Sequence, residues 1–364
     1  MLYQKCLKPI FFRMDAENAH HFVIHTMKWA GAVPGGTGLL RAMWGVPRVP
    51  ELEMNVAGLT FPGPVGLAAG LDKNGVAVDA FSSVGFGFVE VGTVTPQPQP
   101  GNDKPRLFRL PPDEALINRM GFNNVGADEM ERNLSKLTRH RVPVGVNIGK
   151  NKWTPNERAE DDYRACIRKL HKHADFFVVN ISSPNTPDLR NLQHGEELRG
   201  LLAAVTDELA KQANGGTRKP VFVKIAPDLS DAELEYMADT IAASGVSGII
   251  ATNTTLSREG LTHGNRAEAG GLSGRPLTER STQVVRRLYR TTGGRLPIIG
   301  CGGIFTAEDA YAKIRAGASL VEIYTSLIYK GPGIAGHIQR GLLAAMRRDG
   351  FTHLSQAVGA DITS

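Results

Sequence analysis

From Val65 onward, short β-branched runs alternate with stretches of helical periodicity. The runs are Val65–Leu67, Phe88–Thr93, Val144–Ile148, Phe176–Asn180, Val221–Ile225, Gly248–Thr252, Pro297–Gly300 and Leu320–Tyr324, and they read as strands. Helical patterns follow at about Gly75–Ser83, Val125–Leu137, Ala159–His173, Glu196–Gln212, Asp231–Ala243, Leu277–Thr292, Ala307–Ala316 and Ile334–Arg347. Ser230 with Glu233 has the spacing of a capping box. Eight such units predict an α/β chain folded as a (β/α)8 TIM barrel rather than two doubly wound halves. Leu52–Val56 and Leu59–Phe61 flank Ala57-Gly58 and predict a hairpin closing the barrel bottom.

Ahead of the barrel the pattern is purely helical, which divides the chain into an N-terminal amphipathic segment, 1–48, and the barrel, 49–364. Asp15, followed by Glu17, marks a helix start, and Ala19, Phe22, Val23, Met27 and Ala30 make an apolar stripe that Gly31 ends. Tyr3, Leu7, Ile10 and Phe11 repeat the pattern before it, and Leu39, Leu40, Met43 and Trp44 after it. The first 50 residues hold six Lys/Arg against two acids, with Phe11, Phe12, Phe22, Trp29 and Trp44 reading as exposed. Basic amphipathic helices suit a membrane surface, and equally they cap the core of a larger domain.

A barrel collects function at the C-terminal ends of its strands. Gly302-Gly303, a helix starting near Thr306 and the hydroxyls of Thr325 and Ser326 fit a phosphate, against the simpler reading of a tight turn. Asn118, Asn147, Asn180, Asn185 and Asn253 fall in rim loops or at strand ends; each offers donor and acceptor together, which a heterocycle with C=O and N–H groups requires. Lys73 and Lys224 supply positive charge for a carboxylate or an electron-rich ring. Ser183 has no His, Asp or Glu within a few residues and sits in no GxSxG, so it is a poor acyl nucleophile; it becomes a proton acceptor only if a hydride acceptor drives the proton loss. Cys301 reads as a small hydrophobe in a tight turn, and His171 with His173 has no further ligand at metal spacing.

The 364 residues carry 42 Lys+Arg and 36 Asp+Glu, and 41% are hydrophobic, a globular composition. Three cysteines (Cys6, Cys166, Cys301) exclude a disulfide framework and point to a reducing compartment. There is no apolar run of roughly 18 residues, no secretory signal pattern, no Walker loop and no GxGxxG after a strand. The excess charge sits in the N-terminal helices with no nucleic-acid motif.

The motifs AAGLDKNG, VGTVTPQPQPGNDKPRLFRL, INRMGFNN, VNIGKNK, VNISSPNTPDLR, VKIAPDLS, ATNTT, GGLSGRPL, PIIGCGGI and EIYTSLIYKGP, in this order, resemble the membrane-associated class 2 dihydroorotate dehydrogenases over essentially the whole chain. The resemblance implies an FMN-containing oxidoreductase of pyrimidine biosynthesis that converts (S)-dihydroorotate to orotate and passes electrons to a membrane quinone. It makes Ser183 the catalytic base, with Thr186 and Phe122 around the proton path. Lys73, Asn118, Asn180, Asn185, Asn253 and Thr254 match substrate-binding positions, with Arg119, Met120, Gly121 and Phe122 in the same site. Ala69, Gly70, Thr93, Asn147, Asn180, Lys224, Thr252, Gly274, Gly303, Tyr324 and Thr325 match FMN contacts, and His20 and Arg109 the quinone tunnel. Serine rather than cysteine before Pro184 separates the chain from the soluble class 1 enzymes. The implied partners are dihydroorotate or orotate, a quinone and the membrane surface, with no metal, no nucleic acid and no obligate protein partner. The implied place is the cytoplasmic side of a bacterial inner membrane, held peripherally. The alternatives are a barrel that binds a phosphorylated ligand without turnover and a soluble flavin dehydrogenase with another acceptor.

Overall fold

The computed structural model describes residues 3–137 and 142–362. The outer ends of the two expected segments, 1–2 and 363–364, lie outside them. After a short turn of helix, Tyr3–Leu7, come α1 (Lys8–Arg13), α2 (Ala16–Ala32) and α3 (Gly36–Trp44). The strands are β1 (Met54–Val56), β2 (Leu59–Phe61), β3 (Val65–Leu67), β4 (Phe88–Val94), β5 (Leu107–Leu110), β6 (Ala115–Asn118) and β7 (Val144–Ile148). They continue with β8 (Phe176–Asn180), β9 (Val221–Ile225), β10 (Gly248–Ala251), β11 (Gly271–Gly274), β12 (Ile298–Cys301) and β13 (Leu320–Ile323). The remaining helices are α4 (Val78–Phe81), α5 (Ala127–Leu134), α6 (Ala159–Leu170), α7 (Gly195–Ala213), α8 (Asp231–Ala243), α9 (Thr278–Thr292), α10 (Ala307–Arg315), α11 (Thr325–Lys330) and α12 (Ile334–Arg348).

The eight expected strands close into a parallel barrel in the order β10-β12-β13-β3-β4-β7-β8-β9. The hairpin β1-β2 forms as expected, and the Ser230–Glu233 capping box starts α8. The helix expected over Gly75–Ser83 shrinks to the single turn α4, because Asp72 holds the backbone N–H groups of Val76 and Ala77 in a loop. A three-stranded antiparallel sheet, β11-β6-β5, was not expected; it covers one side of the rim.

Side chains two apart on a strand share a face, so the barrel fills in layers. The lower layer is aromatic. Phe88 packs on Phe61 and Phe176 with ring centroids 5.3 and 6.3 Å apart, and Phe176 on Phe222 at 5.7 Å. Gly66 and Gly145 make room for it, since a Cβ at either would stand 2.2 Å from the Phe88 or Phe176 ring. Two residues further along the same strands stand Glu90, Asn147 and Lys224, all buried. The plug therefore seals the bottom and sets a polar layer directly below the rim.

The N-terminal helices dock over β5. The Glu17 carboxylate, 5% exposed, accepts from Arg106 Nη2 at 2.8 Å and from Nε at 3.2 and 3.3 Å. Arg106 also donates to the carbonyls of Pro100 and Asn102, each at 2.7 Å. Arg109 donates to Phe11 O at 2.7 Å and to Met14 O. Of the aromatics read as exposed, Phe22 and Trp29 are so, at 54% and 63%. Phe11, Phe12 and Trp44 are half-buried, Phe12 standing edge-on to Tyr329 at 5.3 Å. α2 rests on Ala19, Ile24, Met27 and Gly31, so Phe22 of the apolar stripe is left outside. Phe22 and Trp29 of α2, with Ile10, Leu39 and Met43 of the neighbouring helices, stand open among polar side chains.

Burial alone would raise the Glu17 carboxyl, but the Arg106 hydrogen bonds and charge, with Lys104 and His21, bring it from an ordinary 4.5 to about 2. Its stabilisation is therefore full above the unfolded value of 4.5 and is lost as pH falls towards about 2. Glu17→Ala leaves the Arg106 guanidinium buried without its counter-charge and should cost about 3 kcal/mol at pH 7. Urea unfolding of both proteins checks this: the gap should narrow on going from pH 7 to pH 3, and a gap that does not change removes the ion pair as its cause.

Candidate functional site

The C-terminal rim of the barrel opens into a cavity of about 1220 Å³, its mouth included. Three groups of residues meet there, contributed by strand ends, by the small sheet and by α2.

The floor is the polar layer. Lys224 Nζ donates to Glu90 Oε2 at 2.7 Å and lies 3.4 Å from Glu322 Oε2. Glu90 also accepts from Asn147 Nδ2 at 2.6 Å and from the Ala69 N–H at 3.0 Å. Burial lowers the Lys224 ammonium, but Glu322 and Glu90 outweigh it and hold its pKa above the ordinary value. Burial raises Glu90, yet the Lys224 charge and hydrogen bond with those of Asn147 and Ala69 hold it low; Glu322 goes well up, by burial and the Glu90 charge. Asn147 does not reach the cavity wall. It accepts from Thr93 Oγ1 at 2.5 Å and from Asn180 Nδ2 at 3.1 Å, and so orients two residues that do.

The second group is a ring of amides around Ser183. Asn185 Nδ2 donates to Asn118 O at 3.1 Å and to Asn118 Oδ1 at 3.3 Å. Asn253 Nδ2 donates to Ser182 Oγ at 2.9 Å, and its Oδ1 accepts from Thr254 N at 2.7 Å. Ser183 is 5% exposed and lines the cavity; its Oγ accepts from Asn185 N at 3.2 Å. Arg190 ties the loops together, donating from Nε to Ser182 O at 3.0 Å, from Nη1 to Asp228 at 2.9 Å and from Nη2 to Thr254 O at 3.1 Å. Met120, Gly121 and Phe122 complete this wall. Arg119 and Thr186 lie outside it; Arg119 pairs with Glu268 at 2.7 Å, and the buried Thr186 Oγ1 has no partner among the described residues. Lys73 Nζ donates to Gly70 O at 2.8 Å and has no carboxylate partner among the described residues. Burial, then the Arg106 charge, lower it from 10.5 to about 8 against the pull of Glu17.

The third group is glycine-rich. Gly302 and Gly303 hold positive φ (115° and 69°), and their carbonyls accept from Ser281 Oγ at 2.9 Å and Thr278 Oγ1 at 2.6 Å. With both carbonyls turned to α9, the loop presents its other face to the cavity. The helix that follows does not serve as an anion site: Thr306 and Asp309 form a capping box, and Asp309 Oδ2 takes the N–H groups of Phe305 and Thr306 at 2.8 and 2.9 Å. Thr325 and Ser326, at the start of α11, line the cavity; Thr325 Oγ1 meets Ser273 Oγ at 2.9 Å, and the buried Ser326 Oγ has no partner among the described residues. Ala69, Gly70, Thr252, Gly274 and Tyr324 also line the cavity. Cys301 is not in a turn but ends β12 on the cavity wall; burial pushes its thiol up to about 12, so it stays neutral.

His20 of α2 reaches the cavity, and its imidazole, driven down to about 3 by burial, Lys73 and His21 against Glu17, is neutral. Arg109 does not line the cavity; it sits 5.0 Å over the Phe12 ring and holds the helices. Sequence reasoning missed Glu90 and Glu322. Their signal was a lone acid in the middle of an apolar strand, FVEVGTV and SLVEIYT.

Among the described residues no group of three metal-ligating side chains comes together, and no helix is long and apolar enough to cross a membrane. The family model described as dihydroorotate dehydrogenase matches residues 51–346. A protein of Deinococcus deserti named "Dihydroorotate dehydrogenase (quinone)" is 58% identical over 99% of this chain and 100% of its own. One of the same name from Deinococcus radiodurans is 52% identical over 98% and 100%. The crystal structure of Eimeria tenella DHODH in complex with ferulenol shares the fold with a TM-score of 0.87, at 45% identity and 95% coverage of both chains. With its barrel, its rim cavity and a family match over most of its length, the chain belongs to the dihydroorotate dehydrogenase family.

Proposed function

We propose that the protein oxidises dihydroorotate to orotate in this cavity, with FMN as its flavin and a membrane quinone as electron acceptor. The observation that carries the reading is the convergence of Ser183, Lys73 and the amides of Asn118, Asn180, Asn185 and Asn253 on one cavity of a chain whose relatives are named dihydroorotate dehydrogenase (quinone).

The residues fit a flavin phosphate at one end and its ring at the other. Ser326 Oγ, without a partner among the described residues, and the cavity side of the Gly302-Gly303 loop leave an oxygen-rich anion room. Lys224, Thr93 and Asn180 line the other end, Lys224 with a third N–H beyond its two carboxylate contacts. The chemistry that FMN supplies when bound is acceptance of the substrate's C6 hydride and onward delivery of both electrons to quinone.

The chain's own residues do the rest. Lys73, an ammonium lacking a carboxylate, takes the substrate carboxylate, and the paired amides take the ring carbonyls and N–H groups, fixing its register. Ser183 Oγ receives the C5 proton; the electron pair of that C–H bond becomes the C5=C6 double bond as the hydride leaves C6. Thr254, Met120, Gly121 and Phe122 close over the substrate and exclude water. His20, neutral and carried by α2, lines this cavity from the side of the N-terminal helices, where the quinone enters. The open face of Ile10, Phe22, Trp29, Leu39 and Met43, with Lys5, Lys28 and Arg41 nearby in sequence, rests on an anionic membrane, on the cytoplasmic side of a bacterial inner membrane.

An anaerobic visible spectrum of the purified protein tests the whole reading: a flavin band should bleach with dihydroorotate and return with a quinone analogue, and a band indifferent to dihydroorotate overturns it. Ser183→Ala should slow bleaching by about 10²-fold or more with flavin still bound. Because Lys73 is charged only below about 8, orotate affinity should fall by up to tenfold per pH unit above that value, a dependence Lys73→Met abolishes in a spectral titration. Trp29→Glu with Leu39→Glu should remove sedimentation with anionic vesicles and leave bleaching by dihydroorotate intact.

A further inference from the structure

Two acids and one cation share the dry floor of the cavity. Glu90, Glu322 and Lys224 are 0%, 0% and 5% exposed. Every oxygen of Glu90 is engaged: Oε2 by Lys224 and the Ala69 N–H, Oε1 by Asn147. Glu322 is different. Its Oε2 stands at 3.4 Å from Lys224, the longer of the two contacts, and its Oε1 is buried, has no partner among the described residues, and belongs to a side chain of the cavity wall.

The surroundings hold no second cation for it. On β12, the strand beside it, the opposing residue is Cys301, a neutral thiol; on β3 it is Gly66. Asn147 on β7 is uncharged, and Lys224 on β9 is shared between the two acids, nearer to Glu90. Lys313, behind β12 on α10, faces away to Ser281 and Thr282 at 2.6 and 2.9 Å. Were both acids ionised, the layer would carry a net negative charge in a medium where an uncompensated ion costs several kcal/mol. One proton makes it neutral, and Glu90, saturated by N–H donors, has no place for it.

We propose that Glu322 holds this proton and is a positioning residue for the flavin ring, offering its acid group to the cavity and linking its proton to the charge on the ring. The inference rests on the flavin reading above. Burial and the Glu90 charge both raise its carboxyl, in agreement. When the ring gains electrons, a negative neighbour disfavours ionisation of Glu322 still further, so the layer stays neutral and adds no repulsion to the reduced ring. An ionised glutamate there would oppose reduction.

Reduced-minus-oxidised infrared difference spectra of the flavin-loaded protein, with dithionite as reductant, test this without any substrate. The wild type should show the carbonyl band of a protonated carboxylic acid that moves on reduction, and Glu322→Gln should lack it. Because amide and acid are both neutral, the reduction equilibrium of E322Q at pH 7 should stay within tenfold of wild type, about 30 mV. No such band in the wild type, its persistence in E322Q, or a shift beyond tenfold towards reduction in E322Q each overturns the proposal. If E322Q does not fold, wild type grown with ¹³C-glutamate decides, since the band must move with the label. A flavin reducible by dithionite but not by dihydroorotate would defeat the functional reading and leave this test standing.

Discussion

A lysine inside a parallel barrel is a constraint on everything around it. Lys224 is far from bulk water, so its charge must be balanced by groups already in place. Glu90 balances it, and two further donors, Asn147 and the Ala69 N–H, hold Glu90 still. Those contacts reach outward in turn: Asn147 fixes Thr93 and Asn180, and the backbone at Ala69 leads into Gly70, whose carbonyl holds Lys73. The cavity floor is thus one connected set of hydrogen bonds radiating from a single ion pair. The phenylalanine layer beneath makes the arrangement possible, because it fills the barrel with rings and leaves water no approach from below.

The same logic governs the N-terminal helices. Apolar contact alone does not single out the face of α2 that docks on β5, since large apolar side chains stand on the outer side too; Phe22 and Trp29 are more than half exposed. Orientation comes from polar contacts with fixed geometry. Glu17 reaches Arg106, and Arg109 reaches the carbonyls of Phe11 and Met14. Once α2 is set this way, His20 points to the cavity while Trp29 points out. One helix therefore connects the cavity with the surface that the segment leaves uncovered.

What was legible in the chain follows from how local each signal is. Fully buried barrel strands such as Val144–Ile148, Phe176–Asn180 and Val221–Ile225 are continuous apolar runs between helical periods, and they were read to the residue. Strands β5, β6 and β11 were not. LFRL, ALIN and GLSG are short and mixed, and β11 finds β6 across more than 150 residues, so no local pattern announces the pairing. The helix after Thr306 was expected to leave its N–H groups free although the contrary signal was present: Thr306 and Asp309 stand three apart, the mark of a cap that satisfies its own N–H groups. The amide ring was legible because asparagine recurs at strand ends. The buried acids were passed over because a glutamate in a strand is usually a solvated one; only closure of the barrel turns Glu90 and Glu322 inward.

Arg190 shows how such a rim stays ordered while its loops carry the chemistry. Its guanidinium joins the loop of Ser182 and Ser183, the Asp228 loop and the backbone of Thr254. Asp228 in turn takes Thr255 Oγ1 and the Leu256 N–H. Neither the serine loop nor the threonine loop can shift alone without breaking a charge-assisted bond at the same guanidinium. Ser183 and Thr254 therefore move together or not at all, and the proton-accepting role proposed for Ser183 needs that rigidity, because the only advantage of a neutral hydroxyl over water is where it is held.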